Sequence, residues 1–349
     1  MVAHGAAAEA GALRTSIGAR LSMVYRLVRF SAIGFTVLLP LLGAASTGLP
    51  LSAEMVLGMV AVAAAFHVFA YVTNDLVDLR IDRSEPLRRR DPLVRGDVRP
   101  QHALAIALVQ LPICLGLTAA MAGDWRAYSA LAAAVGGMTA YNLWGKRTAF
   151  PPLTDAIQAL AWCCLALYGV CLAAGAISPL TWTLLAAVFV YVMMINGVHG
   201  ALRDLDNDRR CDARTTAILL GARLGDDGGV IVPAALRNYA ASLQAMLLSL
   251  AAAALVLLEP VASPRRWIVA LMISLLAAVL CAQLSRAAWR VRHDKWGMVT
   301  AGLFHLVASL GLLVSPWIAL MSPGLLAWAA TAYFLPVGAM LLRSGSRWG

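Results

Sequence analysis

The chain has 349 residues, of which 61% are hydrophobic and only 13% charged, and its mean hydropathy is +0.76. Soluble domains carry about 25% charged residues, so a water-facing globule is excluded and a polytopic membrane protein is indicated. The net charge of +10 comes with neither an aromatic–basic stripe nor a zinc-ligand spacing, so nucleic acid is not an expected partner; in a membrane protein, basic residues report orientation.

Residues 1–24 are rich in alanine and lack a compact apolar run ahead of Tyr25. They read as a flexible cytosolic tail, not a cleaved signal peptide. A single transmembrane domain is expected over 25–345. A span needs about 20 apolar residues, and candidates fall at 25–46, 53–73, 102–122, 127–144, 153–176, 179–200, 235–258, 267–285, 298–320 and 324–343. SPW at 315–317 and SPG at 322–324 interrupt the last apolar region, which leaves nine or ten spans. The expected class is all-α, a polytopic helical bundle. With the N-terminus in the cytosol, all of the 28 Lys and Arg except Arg126, Arg265 and Arg266 fall on the cytosolic side, as the positive-inside rule requires. An inner membrane of bacterial type fits that orientation. The six cysteines form no CxxC pair and read as small buried hydrophobes.

The polar loops at 74–101 and 201–234 share that side. NDLVDLRID (74–82) spaces Asp75, Asp78 and Asp82 by three and four residues, and DLDNDRRCD spaces Asp204, Asp208 and Asp212 by four. Residues three or four apart share a helix face, so each run reads as a ladder of carboxylates at the end of an apolar helix. Mg²⁺ takes one or two carboxylates and completes its shell with water and phosphate oxygens. Two facing ladders therefore suit a diphosphate held through bridging metals, with loop arginines balancing the remaining charge.

NDLVDLRID resembles the NDxxDxxxD motif of the UbiA superfamily of intramembrane prenyltransferases, and DLDND resembles its second, DxxxD, motif. TTAILLG (215–221), YRLVR (25–29) and YNLWGKR (141–147) are similar to further stretches of that family. The resemblance covers roughly 25–290. It implies a bundle with a central apolar cavity, open to lipid, beneath a cytosolic cap that holds the Asp-rich loops. Two or more Mg²⁺ ions would sit on Asn74, Asp75, Asp78 and Asp82 and on Asp204, Asp208 and Asp212, with Asp75, Asp78, Asp204 and Asp208 catalytic. Arg88, Arg90, Arg95, Lys146, Arg147 and Arg210 would contact the diphosphate of an isoprenyl substrate. The implied reaction releases pyrophosphate and passes the prenyl group to an aromatic or other small acceptor; the alternative is terpene cyclisation with no acceptor. RDPLVRG (90–96) departs from the family's NRPLPSG, Gly145 lengthens the Tyr-to-Lys spacing, and Asp212 stands where glycine is common.

Polar residues inside spans default to function. Arg29, His67, Tyr141, Asp155, Asn196 and His199 are therefore candidates for the cavity or acceptor. Arg29 is the candidate for an acceptor carboxylate, His67 is expected to point with Asn74, and Asp155 is expected either to orient the acceptor or to pair with Lys146. Charges confined to helix ends on one face argue against a transporter or channel.

Overall fold

Helices begin in this chain where a side-chain oxygen or a proline takes over the unpaired end of the backbone. The computed structural model describes residues 19–331, apart from Pro323, Trp328, Ala329 and the side chain of Leu87. Helix α1 (Ala19–Leu27) and the segment Phe30–Ala45 are bent by 52°; a 3₁₀ turn (Phe30–Ala32) leads into α2 (Ile33–Ala45). Ser52 Oγ accepts from Met55 N–H to start α3 (Ala53–Val77). Two short helices, α4 (Leu79–Asp82) and α5 (Pro92–Arg95), follow. Proline opens α6 (Pro100–Ala120) and α8 (Pro151–Leu172), while Asp124 accepts from two backbone N–H groups to start α7 (Trp125–Trp144) between them.

The second half repeats these devices. Ser178 caps α9 (Pro179–Met194), which runs through a π turn (Ile195–Gly200) into α10 (Ala201–Arg203). The short α11 (Leu205–Arg210) and α12 (Thr216–Leu219) precede three long helices: α13 (Ala234–Leu258), α14 (Pro264–Ala288) and α15 (Lys295–Val314). Asp294 accepts from Gly297 N–H at 2.8 Å to start α15.

Seven of these helical stretches are long and apolar enough to cross a membrane, and the bent first pair makes an eighth. Helix α7 has twenty residues and packs along α8, but Tyr128, Ser129, Tyr141 and Asn142 lower its hydropathy. The expected tenth span, 324–343, lies largely outside the described residues. So do residues 1–18; Ala19 to Val24, assigned to the tail from sequence, already belong to α1. The expectation of an all-α protein holds for the core, with one addition. Strands β1 (Arg223–Leu224), β2 (Val230–Ile231) and β3 (Arg292–His293) form an antiparallel clip in the order β1-β2-β3, pairing Leu224 with Val230 and Val230 with His293. The turn residues GDDGG between β1 and β2 were a readable hairpin signal.

Between spans, lipid offers no hydrophobic drive, so close packing and polar contacts hold helices together. Ser46–Thr181 (3.0 Å), Thr118–Tyr168 (2.9 Å) and Ser274–Ser315 (2.7 Å) are buried hydroxyl pairs between helices. Helices α2 and α8 approach through reciprocal glycines. A Cβ at Gly43 would enter the Ala166 carbonyl, and one at Gly169 the Pro40 carbonyl. Overpacking of this kind costs about 1–3 kcal/mol. Gly43→Ala and Gly169→Ala should each lower the thermal midpoint of the detergent-solubilised protein. Gly136→Ala, where a Cβ meets nothing within 4 Å, should leave it unchanged.

Candidate active site

The first aspartate motif begins in the last turn of one 25-residue apolar stretch, Ala53–Val77, and the second follows another, Pro179–Arg203; both stretches break at an aspartate. Asp78 has φ −89° and ψ 4°, and Asp204 has φ −95° and ψ 5°. Each ends one helix and begins a short one, α4 or α11. The continuous ladders read from the spacing are therefore kinked. Four residues beyond each break lies a buried carboxylate, Asp82 (8% exposed) or Asp208 (1%). The loops are tied directly: Ser84 Oγ donates to Asn207 Oδ1 (2.8 Å), and Asn207 Nδ2 donates to the Ile81 carbonyl (3.0 Å).

Basic side chains face these carboxylates. Arg29 is ion-paired with Asp75. Arg88 reaches Asp75 (3.8 Å), Asp82 (3.9 Å) and Asp91 (3.0 Å). Lys146 Nζ lies 3.0 Å from Asp208 Oδ1, held there because its carbonyl accepts from Arg214 N–H at 3.0 Å. Arg203 grips Asp204 with two 2.8 Å hydrogen bonds.

The balance is uneven. Burial pushes Asp82 and Asp208 up to about 6, outweighing Arg88 and Lys146 respectively. Burial also raises Asp78 against the pull of Lys146 and Arg29. Asp204 is held below the usual carboxylate range; burial opposes this, but Arg203 prevails. The second motif thus has one firmly ionised carboxylate beside one that is costly to ionise.

Arg29 sits in the left-handed region (φ 46°, ψ 46°) at the break between α1 and the 3₁₀ turn. His67 Nε2 lies 2.9 Å from the Val28 carbonyl and 3.3 Å from that of Arg29, and His67 Nδ1 lies 2.8 Å from Thr36 Oγ1. His67 therefore does not point with Asn74. It is turned to the Val28 carbonyl at the break, a group that a bilayer leaves without water. Asn74 Nδ2 donates to Asp78 Oδ2 (3.5 Å) and Asn142 Oδ1 (3.4 Å).

Other expected site residues lie apart. Arg90 is exposed, and Arg95 and Arg210 form solvent-facing pairs with Asp97 and Asp206. Arg147 donates to the Leu143 and Val77 carbonyls. Asp212 is exposed at φ 54°, a left-handed turn that glycine fills without strain, which accounts for the glycine common at that place. Asp155 does not pair with Lys146; it accepts from Thr216 Oγ1 at 2.5 Å. Asn196 bonds Gln158, and His199 Nε2 lies 2.9 Å from His305 Nδ1. Arg203, Ser84, Asn142 and Asn207 were missed from sequence. Arg203 immediately precedes the second motif and Asn207 stands inside it, and their position was the available signal.

Beneath Arg29 and Asp75 an aromatic group gathers. Arg29 lies over the Tyr71 ring at 5.4 Å, and Trp162 contacts Tyr71, Phe35 and Phe66 at 6.4, 5.7 and 5.6 Å between centroids. Farther along, an open apolar cleft of about 790 Å³ lies between α8, α9 and α13.

These features define a class, a polytopic helical membrane protein with an acidic and basic cluster at one end of its bundle. The chain belongs to the UbiA prenyltransferase family, whose sequence profile matches residues 33–299. It is 28% identical over 268 residues to the protoheme IX farnesyltransferase of Synechococcus sp. (strain JA-3-3Ab), covering 70% of this chain and 78% of that protein. It is similar in fold to the UbiA homologue of Aeropyrum pernix K1 in its apo structure, with TM-score 0.61 at 18% identity over 81% of this chain and 96% of that one. A UbiA homologue of Archaeoglobus fulgidus bound to GPP and Mg²⁺ gives 0.58 at 17% identity over 83% and 98%.

The raised carboxyls have a consequence for stability. Unfolded, Asp82 and Asp208 return to the ordinary value of 3.8, so between that pH and about 6 the folded chain holds more protons. Stability then rises as pH falls through this window. In the presence of chelator, the thermal midpoint should increase from neutral pH toward the lower limit. Asp82→Asn and Asp208→Asn should each flatten that slope.

Proposed function

We propose that this protein ionises an isoprenyl diphosphate within the membrane and transfers the prenyl group to a small acceptor, releasing pyrophosphate. The observation that carries this reading is the pair of helix breaks, which brings buried, incompletely balanced carboxylates against Arg29, Arg88 and Lys146. The fold it shares with a homologue bound to GPP and Mg²⁺ supports it.

The donor set fits Mg²⁺. All candidate ligands are hard oxygens, and among the described residues no three His, Cys, Asp or Glu side chains converge on one point. That agrees with an ion taking one or two carboxylates and the rest of its shell from diphosphate and water. The first motif (Asn74, Asp75, Asp78 and Asp82) and the second (Asp204 and Asp208) would each lend one or two carboxylates to a bound ion. Bound Mg²⁺ would supply charge stabilisation to the departing pyrophosphate.

The chain's own groups do the remainder. Arg29, Arg88 and Lys146 rest on carboxylates and turn to phosphate oxygens when a diphosphate enters. Their positive charge meets the charge that grows as the carbon–oxygen bond breaks. Tyr71 lies next to Arg29 and Trp162 next to Tyr71, where aromatic faces favour a nearby cation. The apolar spans keep water from capturing it. The site-bearing end of the bundle is assigned to the cytosolic side by the distribution of Lys and Arg.

The same aromatic cluster favours one second reading, cyclisation of the prenyl chain without an acceptor. Incubation with geranyl, farnesyl and geranylgeranyl diphosphates alone separates the two. Cyclic hydrocarbon or alcohol products support cyclisation, and products formed only when an acceptor is added support transfer.

With Mg²⁺ the purified protein should release pyrophosphate. Asp78→Ala or Asp208→Ala should lower the rate by about 10²-fold or more, as the loss of transition-state charge stabilisation does elsewhere. Asp212→Ala and Arg210→Ala, both outside the cluster, should stay within about twofold, as surface changes do. Undiminished release by both motif variants would defeat the assignment.

A further inference from the structure

One polar group inside the bundle is left over by that chemistry. Asp155 on α8 is 7% exposed, accepts from Thr216 at 2.5 Å, and among the described residues has no basic side chain paired with it. The hydroxyl of Tyr239 on α13 is buried and has no hydrogen-bond partner among the described residues. The two meet at the π turn: a Cβ on Gly197 would lie 3.1 Å from Asp155 Oδ2 and 3.3 Å from the Tyr239 hydroxyl. Gly197 thus leaves a notch with a carboxyl and a phenol on its walls. A buried hydroxyl without a partner costs about 1–3 kcal/mol, which a ligand bearing a matching polar group offsets.

Two relations give the notch a purpose. Gly197 lies seven residues ahead of Asp204 on the stretch that leads into the second motif, and Thr216, which donates to Asp155, opens α12 just beyond it, so the notch adjoins the diphosphate end. The apolar cleft of about 790 Å³ begins about two turns away on the same three helices, and Met246 and Leu250 in its lining lie seven and eleven residues beyond Tyr239, on the same helix face. Its volume falls within the usual range for small-molecule sites, about 300–1,000 Å³. Trp182, Leu160 and Met246 at its mouth are 61%, 56% and 51% exposed, so it opens to lipid.

We propose that Asp155 and Tyr239 form the head site for the acceptor, and that the acceptor is a neutral, hydroxyl-bearing lipophile whose apolar body occupies the cleft between α8, α9 and α13. The hydroxyl donates to Asp155 and accepts from Tyr239, and the molecule arrives from the bilayer. A carboxylated acceptor is disfavoured, because its charge would face the Asp155 carboxyl, which among the described residues has no paired cation. This assignment rests on the prenyl-transfer reading.

The test uses the full-length protein in phosphatidylcholine nanodiscs with three matched probes: 2-naphthol, 2-methoxynaphthalene and 2-naphthoate. Wild type should bind 2-naphthol about tenfold more tightly than either analogue, the scale of one buried hydrogen bond. Naphthol seated on a carboxylate should also show the emission of its deprotonated excited form. Asp155→Asn should lose that band and about tenfold in affinity. Tyr239→Phe should weaken naphthol several-fold, and it keeps the test open if Asp155→Asn does not fold. Ala186→Phe, which fills the cleft, should weaken naphthol and its methyl ether alike. A preference for naphthoate, an equal affinity for all three probes, or binding unchanged in both variants overturns the assignment. Absence of pyrophosphate release from wild type overturns the prenyl-transfer reading, a separate result from the binding selectivity.

Discussion

Carboxylates placed at the end of an apolar helix have to be neutralised where water is scarce, and the architecture of this site follows from that constraint. Removing an ion from water is expensive unless an opposite charge and hydrogen bonds replace the solvent. Here Asp75 takes Arg29, Asp208 takes Lys146 and Asp204 takes Arg203. The Arg29–Asp75 pair draws the most from its surroundings. It comes with a left-handed residue between α1 and α2 and with His67 bonded to the Val28 carbonyl at the bend. The bend of the first span, an ion pair to the second and a histidine in the middle of the second thus meet at one place.

Charge that is only partly balanced is what makes the cluster chemically useful. If every carboxylate were matched as Asp204 is by Arg203, there would be little reason for further cations to enter. Asp78, Asp82 and Asp208 are all raised by burial in spite of their basic neighbours. Stability is given up at this end of the bundle, where burial works against ionisation. The recurrence of the same break after two 25-residue stretches places equivalent carboxylates on both sides of one site, and Asn207 joins the two sides across 126 residues of sequence.

The spans were legible because their apolar runs are long, and the two motifs because their spacing is regular and their loops lie on one side. The family followed from those motifs. What the residues could not reveal was pairing across sequence distance. Arg29 and Asp75 are 46 residues apart, and nothing in either neighbourhood points to the other. Counting basic residues near the motifs gave equal weight to Arg88, at the centre of the cluster, and to Arg90 and Arg95, which face outward. The kinks at Asp78 and Asp204 were also invisible, since an intact helix and a broken one show the same spacing of three and four. Asp155 was assigned to a neighbouring lysine by proximity in sequence, whereas Lys146 is drawn to the second motif by Arg214 and Asp208.

The π turn at Ile195–Gly200 has a consequence for how this chain tolerates changes in length. Such a turn holds one residue more than the α-helical winding it interrupts. The extra residue is absorbed within the widened turn, so the helix beyond it keeps the phase it would have without it. A residue inserted in α9 ahead of the turn would instead rotate everything beyond by about 100°, and Asp204 and Asp208 would leave Lys146 and the Ser84 side of the cluster. A change of length therefore costs the second motif its facing in α9 and not at Ile195–Gly200.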